Sequence, residues 1–214
     1  MYFADKGAVH VHAFEPFLEP YSTAVRVINR NLLDHKVTVI PTGVGARCGG
    51  SIGVYNPAHS TWGVASLDKS TTQPPAGRAS NPTEEVQLVS LPSVLDEASK
   101  HHPGRPLALK MDCEGCEIEA FEGDGIRESL KPVRSIVHEA HGDEAMNKEI
   151  RHAYRQAGRS HSRQTLWSKL EDYGFSVEEL SASPGRSGRV LLLATRREGA
   201  ASRPSAVGPV DPAP

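Results

Sequence analysis

Three segments carry the side chains best suited to chemistry. Glu15 stands just past the apolar stretch Val9-His10-Val11-His12-Ala13-Phe14 and just before Pro16. In open α/β sheets, ligands bind outside the carboxyl ends of the strands. A carboxylate there can accept hydrogen bonds from both hydroxyls of a ribose, or serve as a plain charge at a helix N-terminus. The second segment, Lys110-Met111-Asp112-Cys113-Glu114-Gly115-Cys116-Glu117, sets Asp112, Glu114 and Glu117 within six residues at a strand-to-helix junction. Crowded carboxylates suit a general base or a metal site, and equally a capped helix start. The third, His138-Glu139-Ala140-His141-Gly142, puts two imidazoles and an acid at the end of another apolar stretch. That donor set suits a substrate pocket or a divalent metal.

The cysteines are read as incidental. Cys113 and Cys116 have C-x-x-C spacing, but a zinc site needs two more ligands and Cys48 is the sole remaining cysteine. Acidic neighbours disfavour the thiolate that a redox pair needs. His10 and His12 read as packing or edge residues of a strand. His101 and His102, before Pro103, read as solvated loop residues.

The elements that position these groups follow from periodicity. Residues 9–14 predict a strand buried on both faces, and 17–33 an amphipathic helix with Tyr21, Ala24, Val25, Ile28 and Leu32 at helical spacing. Val37 to Ile40 predicts a second strand, closed by the glycine-bearing turn Pro41-Thr42-Gly43-Val44-Gly45. Strand–helix–strand is the grammar of a parallel α/β sheet. Further strands are expected at 51–55, 86–91, 107–112, 135–139 and 190–194, with helices at 92–98, 116–121 and 165–173, the last closed by Gly174. Residues 68–85 hold Pro74, Pro75 and Pro82 and no aliphatic side chain larger than alanine. They predict a mobile loop. The stretch 199–214, rich in Ala, Pro, Gly and Ser, predicts a disordered tail after a single domain over 1–198.

Composition narrows the function classes. The 214 residues carry 24 Lys+Arg against 26 Asp+Glu, a net charge of −2. That balance argues against nucleic acid and against an anionic membrane surface as partners. No apolar run approaches the length of a membrane span. Three cysteines and no signal-peptide pattern point to a reducing, cytoplasmic setting.

Several segments together resemble the FkbM-type methyltransferases. Val9 to Pro16 resembles that family's V-x-A-F-E-P segment, and Lys110 to Glu117 its K-I-D-V-E-G-x-E motif. Leu91, Val94 and Leu95 resemble its V-S-L-D-x-L segment, with Pro92 in place of the usual acid. Leu170 with Tyr173-Gly174-Phe175 resembles the closing L-x-x-x-G-F. The resemblance covers about residues 3–195. It is the pairing of the first two motifs that gives it specificity.

The resemblance implies a Rossmann-like class I methyltransferase sheet with helices on both faces and S-adenosylmethionine as cofactor. It implies methyl transfer to a hydroxyl of a small-molecule acceptor, a sugar or natural product. Glu15 would hold the cofactor ribose, and Thr42, Gly43 and Val44 would lie near the adenine. Asp112 would be the base, with His138 second. Glu114, Glu139 and His141 would line the acceptor side.

The family opens with a strand and a D-x-G-A-N-x-G loop ahead of the A-F-E-P strand. Only eight residues precede Val9, too few for a parallel crossover of about 10–12 residues. The expectation is a domain lacking that strand and loop, holding the cofactor weakly. Two other readings stay open. One is a non-catalytic relative that keeps the shell of the fold. The other is a metal-dependent hydrolase built from Asp112, Glu114, His138 and His141.

Overall fold

Strand β1 (Val11–Phe14) is followed by helix α2 (Leu18–Arg30) and strand β2 (Val37–Ile40), after a short first helix α1 (Tyr2–Asp5). The strand–helix–strand unit expected from the spacing is therefore present, and β1 and β2 pair in parallel, Val11 with Val37 through Phe14 with Ile40. These positions come from a computed structural model, which describes residues 2–45, 49, 51–55, 64–65, 84–112, 117–141, 163–182 and 189–198.

Two details of the opening unit differ from expectation. All four residues of β1 are half-buried rather than buried on both faces, because β2 is the ladder partner recorded for β1 and its other edge has none among the described residues. Helix α2 ends at Arg30, and Leu32 does not extend its apolar face. It sits in a left-handed turn at φ 54° with its side chain exposed. Of the residues on that face, Ile28 is buried, packed with Ala4 and Val37 in a small cluster flanked by Val11, Leu33 and Val39.

The stretch read as a glycine turn contains a third strand, β3 (Gly43–Gly45), parallel to β6 (Glu84–Ser90). A Cβ on Gly43 would come within 2.8 Å of Leu88 Cδ2, so glycine lets the two backbones close up. Strand β4 (Ser51–Tyr55) runs antiparallel to β6 and to β5 (Val64–Ala65), giving the order β3-β6-β4-β5. The stretch expected to be a mobile loop ends sooner than read, since Glu84 and Glu85 already belong to β6. Its residues 68–83, and the tail from 199, lie outside the described residues.

Helix α3 (Leu91–His101) is longer than expected. Its start is well specified. Ser90 is the N-cap, its Oγ accepting from Ser93 N at 3.2 Å, and Pro92 occupies the first turn, where no intrahelical N–H is needed.

The main body is the sheet β7-β8-β10-β9, built from β7 (Leu107–Met111), β8 (Val133–His141), β9 (Phe175–Ala182) and β10 (Arg189–Arg196). β7 and β8 are parallel, and β10 is antiparallel to both β8 and β9. The whole is thus α/β with mixed sheets. Two short helices, α4 (Glu117–Ala120) and α5 (Ile126–Ser129), join β7 to β8, and α6 (Arg163–Asp172) precedes β9. Gly174, at φ 87°, stops α6 as its position suggested. Phe121, Leu130, Ile136, Leu170, Phe175 and Leu192, with Leu91 and Leu95 of α3, form one continuous core.

Arg196 ties this body together. Its guanidinium donates to the carbonyls of Val133 and Tyr173 at 3.0 Å each and to that of Leu130, and lies 4.1 Å from the centre of the Phe175 ring. Burial, and then the charge of Arg134, lowers its pKa. Tyr173 Oη donates to the Phe121 carbonyl at 2.7 Å, closing the same corner.

Candidate functional site

The named residues collect into two groups, each at the carboxyl end of a parallel strand pair. The first lies past β1 and β2. Glu15 N donates to the Ile40 carbonyl at 3.1 Å, continuing the pairing by one residue, while Thr42 N turns back to the same carbonyl at 2.9 Å. Glu15 and Thr42 are therefore neighbours. Glu15 Oε1 accepts from Phe17 N at 3.0 Å, which fixes the carboxylate against the start of α2, a helix whose N-cap residue Phe17 offers no side-chain cap of its own. Thr42 Oγ1 is buried with no hydrogen-bond partner among the described residues. An orphaned hydroxyl of this kind costs free energy unless a ligand or water completes it. Gly43 is buried beside it, and Val44 packs against the main core.

The second group lies past β7 and along β8. Asp112 directly follows β7, and its Oδ2 accepts from Lys110 Nζ at 2.8 Å on a partly exposed surface. Met111 pairs with His138 in the β7–β8 ladder, so Asp112 emerges level with Glu139. Strand β8 runs to His141, two residues beyond the expected end, and Glu139 pairs with Leu191 inside the sheet rather than standing at its edge. His138 and Glu139 are consecutive in a strand and so point to opposite faces. His138 is 1% exposed, while Glu139 is half-buried. Asp112 is thus the solvent-facing acid of this group, and His138 is its buried histidine. Glu114, with Cys113 and Cys116, lies outside the described residues. His141 closes β8.

Among the described residues, no group of three or more His, Cys, Asp or Glu is arranged to hold a metal ion, and no helix is long and apolar enough to cross a membrane. Sequence reasoning gave Lys110 no role of its own and left His102 apart from His10 and His12. Lys110 is paired with Asp112 two residues on, a spacing that puts both on one face of an extended chain. His102, read as a solvated loop residue, caps α3 and meets the rings of His10 and His12. No local signal could link residues so distant in sequence. The contact places the starts of β1 and β7 at one end of the molecule.

Searches against curated proteins and against solved structures returned no match. A family model of the methyltransferase FkbM domain matches residues 1–177, most of the chain, including Glu15, Thr42, Asp112 and the whole of β8. The chain belongs to the FkbM methyltransferase domain family.

Proposed function

We propose that this domain transfers the methyl group of S-adenosylmethionine to a hydroxyl of a small-molecule acceptor, a sugar or natural product, in a cytoplasmic setting. The observation that carries the reading is the pairing of the family match with carboxylates at two parallel-strand ends, Glu15 after β1 and Asp112 after β7. The strand order β7-β8-β10-β9, with β1-β2 as a separate parallel pair, accords with a Rossmann-like class I sheet.

The first group suits a nucleoside. Glu15 would accept hydrogen bonds from ribose hydroxyls, Thr42 Oγ1 would gain the partner it lacks, and Gly43 and Val44 would lie near the adenine. When bound, S-adenosylmethionine would supply an already activated methyl donor, with its thioether as the leaving group. What the protein adds is alignment of the acceptor oxygen and removal of its proton. Asp112 is the base, since it is exposed and Lys110 occupies Oδ2, leaving Oδ1 for the acceptor proton. Glu139 and His141, with Glu114, line the acceptor side. His138, buried on the face of β8 opposite Glu139 and paired with Met111, serves as a support for the strand end.

Two substitutions separate these roles. Glu15→Ala removes hydrogen bonds to the cofactor made alike in the ground and transition states. Charged hydrogen bonds contribute about 1.5–3 kcal/mol, so cofactor affinity by calorimetry falls roughly 10- to 150-fold while kcat changes little. Asp112→Asn keeps the shape and removes the proton acceptor, lowering kcat by about 10²–10⁴ with little change in cofactor affinity. Loss of activity only in proportion to folded protein, for both variants, defeats the assignment.

A further inference from the structure

Three histidine rings from two distant segments meet where the start of β1 approaches the end of α3. His10 and His12 lie two apart in the chain, with ring centres 4.7 Å apart. His102 stacks near His10 at 6.0 Å, with 25° between the ring planes, and lies 6.4 Å from His12. His10 Nε2 is hydrogen-bonded to Thr38 Oγ1 on β2 at 2.9 Å. His12 Nε2 is buried with no hydrogen-bond partner among the described residues. The charged groups nearby sit on α3. Glu97 pairs with His101 at 3.0 Å and with Lys100 at 3.7 Å, on an exposed surface. Its charge is thus shared and solvent-screened, and little of it is left to offset positive charge among the three rings.

The place of the cluster matters more than its composition. On one side stand β1, β2 and α2 with their own small apolar cluster. On the other stands α3, whose Leu91 and Leu95 belong to the main core. We propose that His10, His12 and His102 form a proton-operated clasp, in which neutral imidazoles hold the β1–β2 pair against the end of α3 and protonation releases it. Neutral rings at these stacked and tilted separations attract weakly, whereas imidazolium ions at the same distances repel.

The direction of the effect follows from His12. Burial first, then the charges of His10, His102 and His101, lowers its pKa from the usual 6.5, with Glu97 opposing. The folded form therefore binds fewer protons than the open form. The clasp holds fully above pH 6.5 and weakens as pH falls from there through the lowered value. The inference does not depend on the methyl-transfer reading.

Hydrogen exchange on the full chain at pH 7.5 and 5.5, corrected for intrinsic rates, tests it. Amides of Val11–Phe14 and Val37–Ile40 should gain exchange relative to those of Val133–His141, by up to about tenfold per pH unit for each proton taken up. In the double variant His12→Phe, His102→Phe, which keeps the rings but cannot ionise there, the gain should vanish. A flat ratio in the unaltered chain, or a gain that survives in the variant, overturns the clasp. Imidazole titration of the unaltered chain by NMR gives a second measure that needs no variant. His12 titrating below 6.5, with β1 amide shifts following the same curve, supports the clasp, and His12 titrating at or above 6.5 overturns it.

Discussion

The four-stranded body and the β1–β2 pair are built from the same kinds of residue but bury them to different degrees. In the body, β8 and β10 each have a partner on both edges, and Phe175, Leu192, Ile136 and Leu130 are wholly enclosed. In the pair, β1 and β2 each ladder with the other, every β1 residue stays half-buried, and Ala4, Ile28 and Val37 make up the buried apolar cluster. A strand flanked on both edges, with one face wholly enclosed, draws stability from several directions, whereas a two-stranded ribbon is marginal by itself. The contrast bears on function, because one half of the candidate site, Glu15 and Thr42, hangs on the weaker region and the other half, Asp112 and Glu139, on the stronger. Ligand that grips both halves is bound to stiffen the pair more than the body.

Truncating a core side chain in each region probes the contrast most strongly. Phe175→Ala removes a fully buried ring that also carries the Arg196 guanidinium. A loss of about 3–5 kcal/mol is expected, read as a lower urea midpoint for the whole domain. Ile28→Ala, at a site less fully enclosed, should cost about 2 kcal/mol, the low end for such changes. It should appear first as faster hydrogen exchange in α2, β1 and β2 with β8 and β10 still protected. Equal losses, with global unfolding in both variants, would show that the two regions fold as one unit.

Arg196 is the next lever, and it belongs to the body alone. Arg196→Met keeps much of the stem but leaves the carbonyls of Leu130, Val133 and Tyr173 without their shared donor. Hydrogen bonds to a charged group contribute about 1.5–3 kcal/mol, and a destabilisation of that size is expected by denaturant titration. Arg196→Lys should restore little of it, since an ammonium lacks the planar fork that spans the three acceptors. Full rescue by lysine would reduce the contact to simple charge.

How much of this was legible in the sequence divides along the same line. β2 and β7 were readable from their apolar runs, β2 with Pro41 closing it, whereas Leu91, read as the end of a strand, opens α3 behind its Ser90 cap. β9 was not, since Phe175–Ala182 carries Glu178 and Glu179 side by side, and Leu180 is displaced by a bulge against β10. That break in the ladder erases the alternation on which strand reading depends. Gly43–Gly45 looked like a turn because glycine marks turns. Its strand character comes from β6, more than a loop away in sequence. The candidate site was legible as motifs, and Glu15 and Asp112 do follow their strands. Its division into two groups was not, because strand pairing is a tertiary fact. The burial of His138 was hidden for the same reason: it depends on β7 and β10 flanking β8.

Gly43 offers the finest test, because it lies where the chain passes from the pair into the rest of the molecule. Its φ is not in the left-handed region, so alanine meets no backbone strain there. What alanine meets is the tip of Leu88 at 2.8 Å and, more loosely, Val86 Cγ1 at 3.4 Å. The leucine can rotate its terminal methyls away, so the overpacking penalty should fall near the low end, about 1 kcal/mol. The denaturant midpoint should drop by that small amount. Exchange in β3 and β6 should quicken, and that in β7 to β10 should not. Cofactor affinity supplies the sharper reading. If Gly43 stands close to the base as proposed, moving β3 by a few tenths of an ångström weakens binding by more than the stability change explains. A cofactor affinity that stays constant while the midpoint falls would leave Gly43 as a packing residue between β3 and β6, with Thr42 alone on the adenine side.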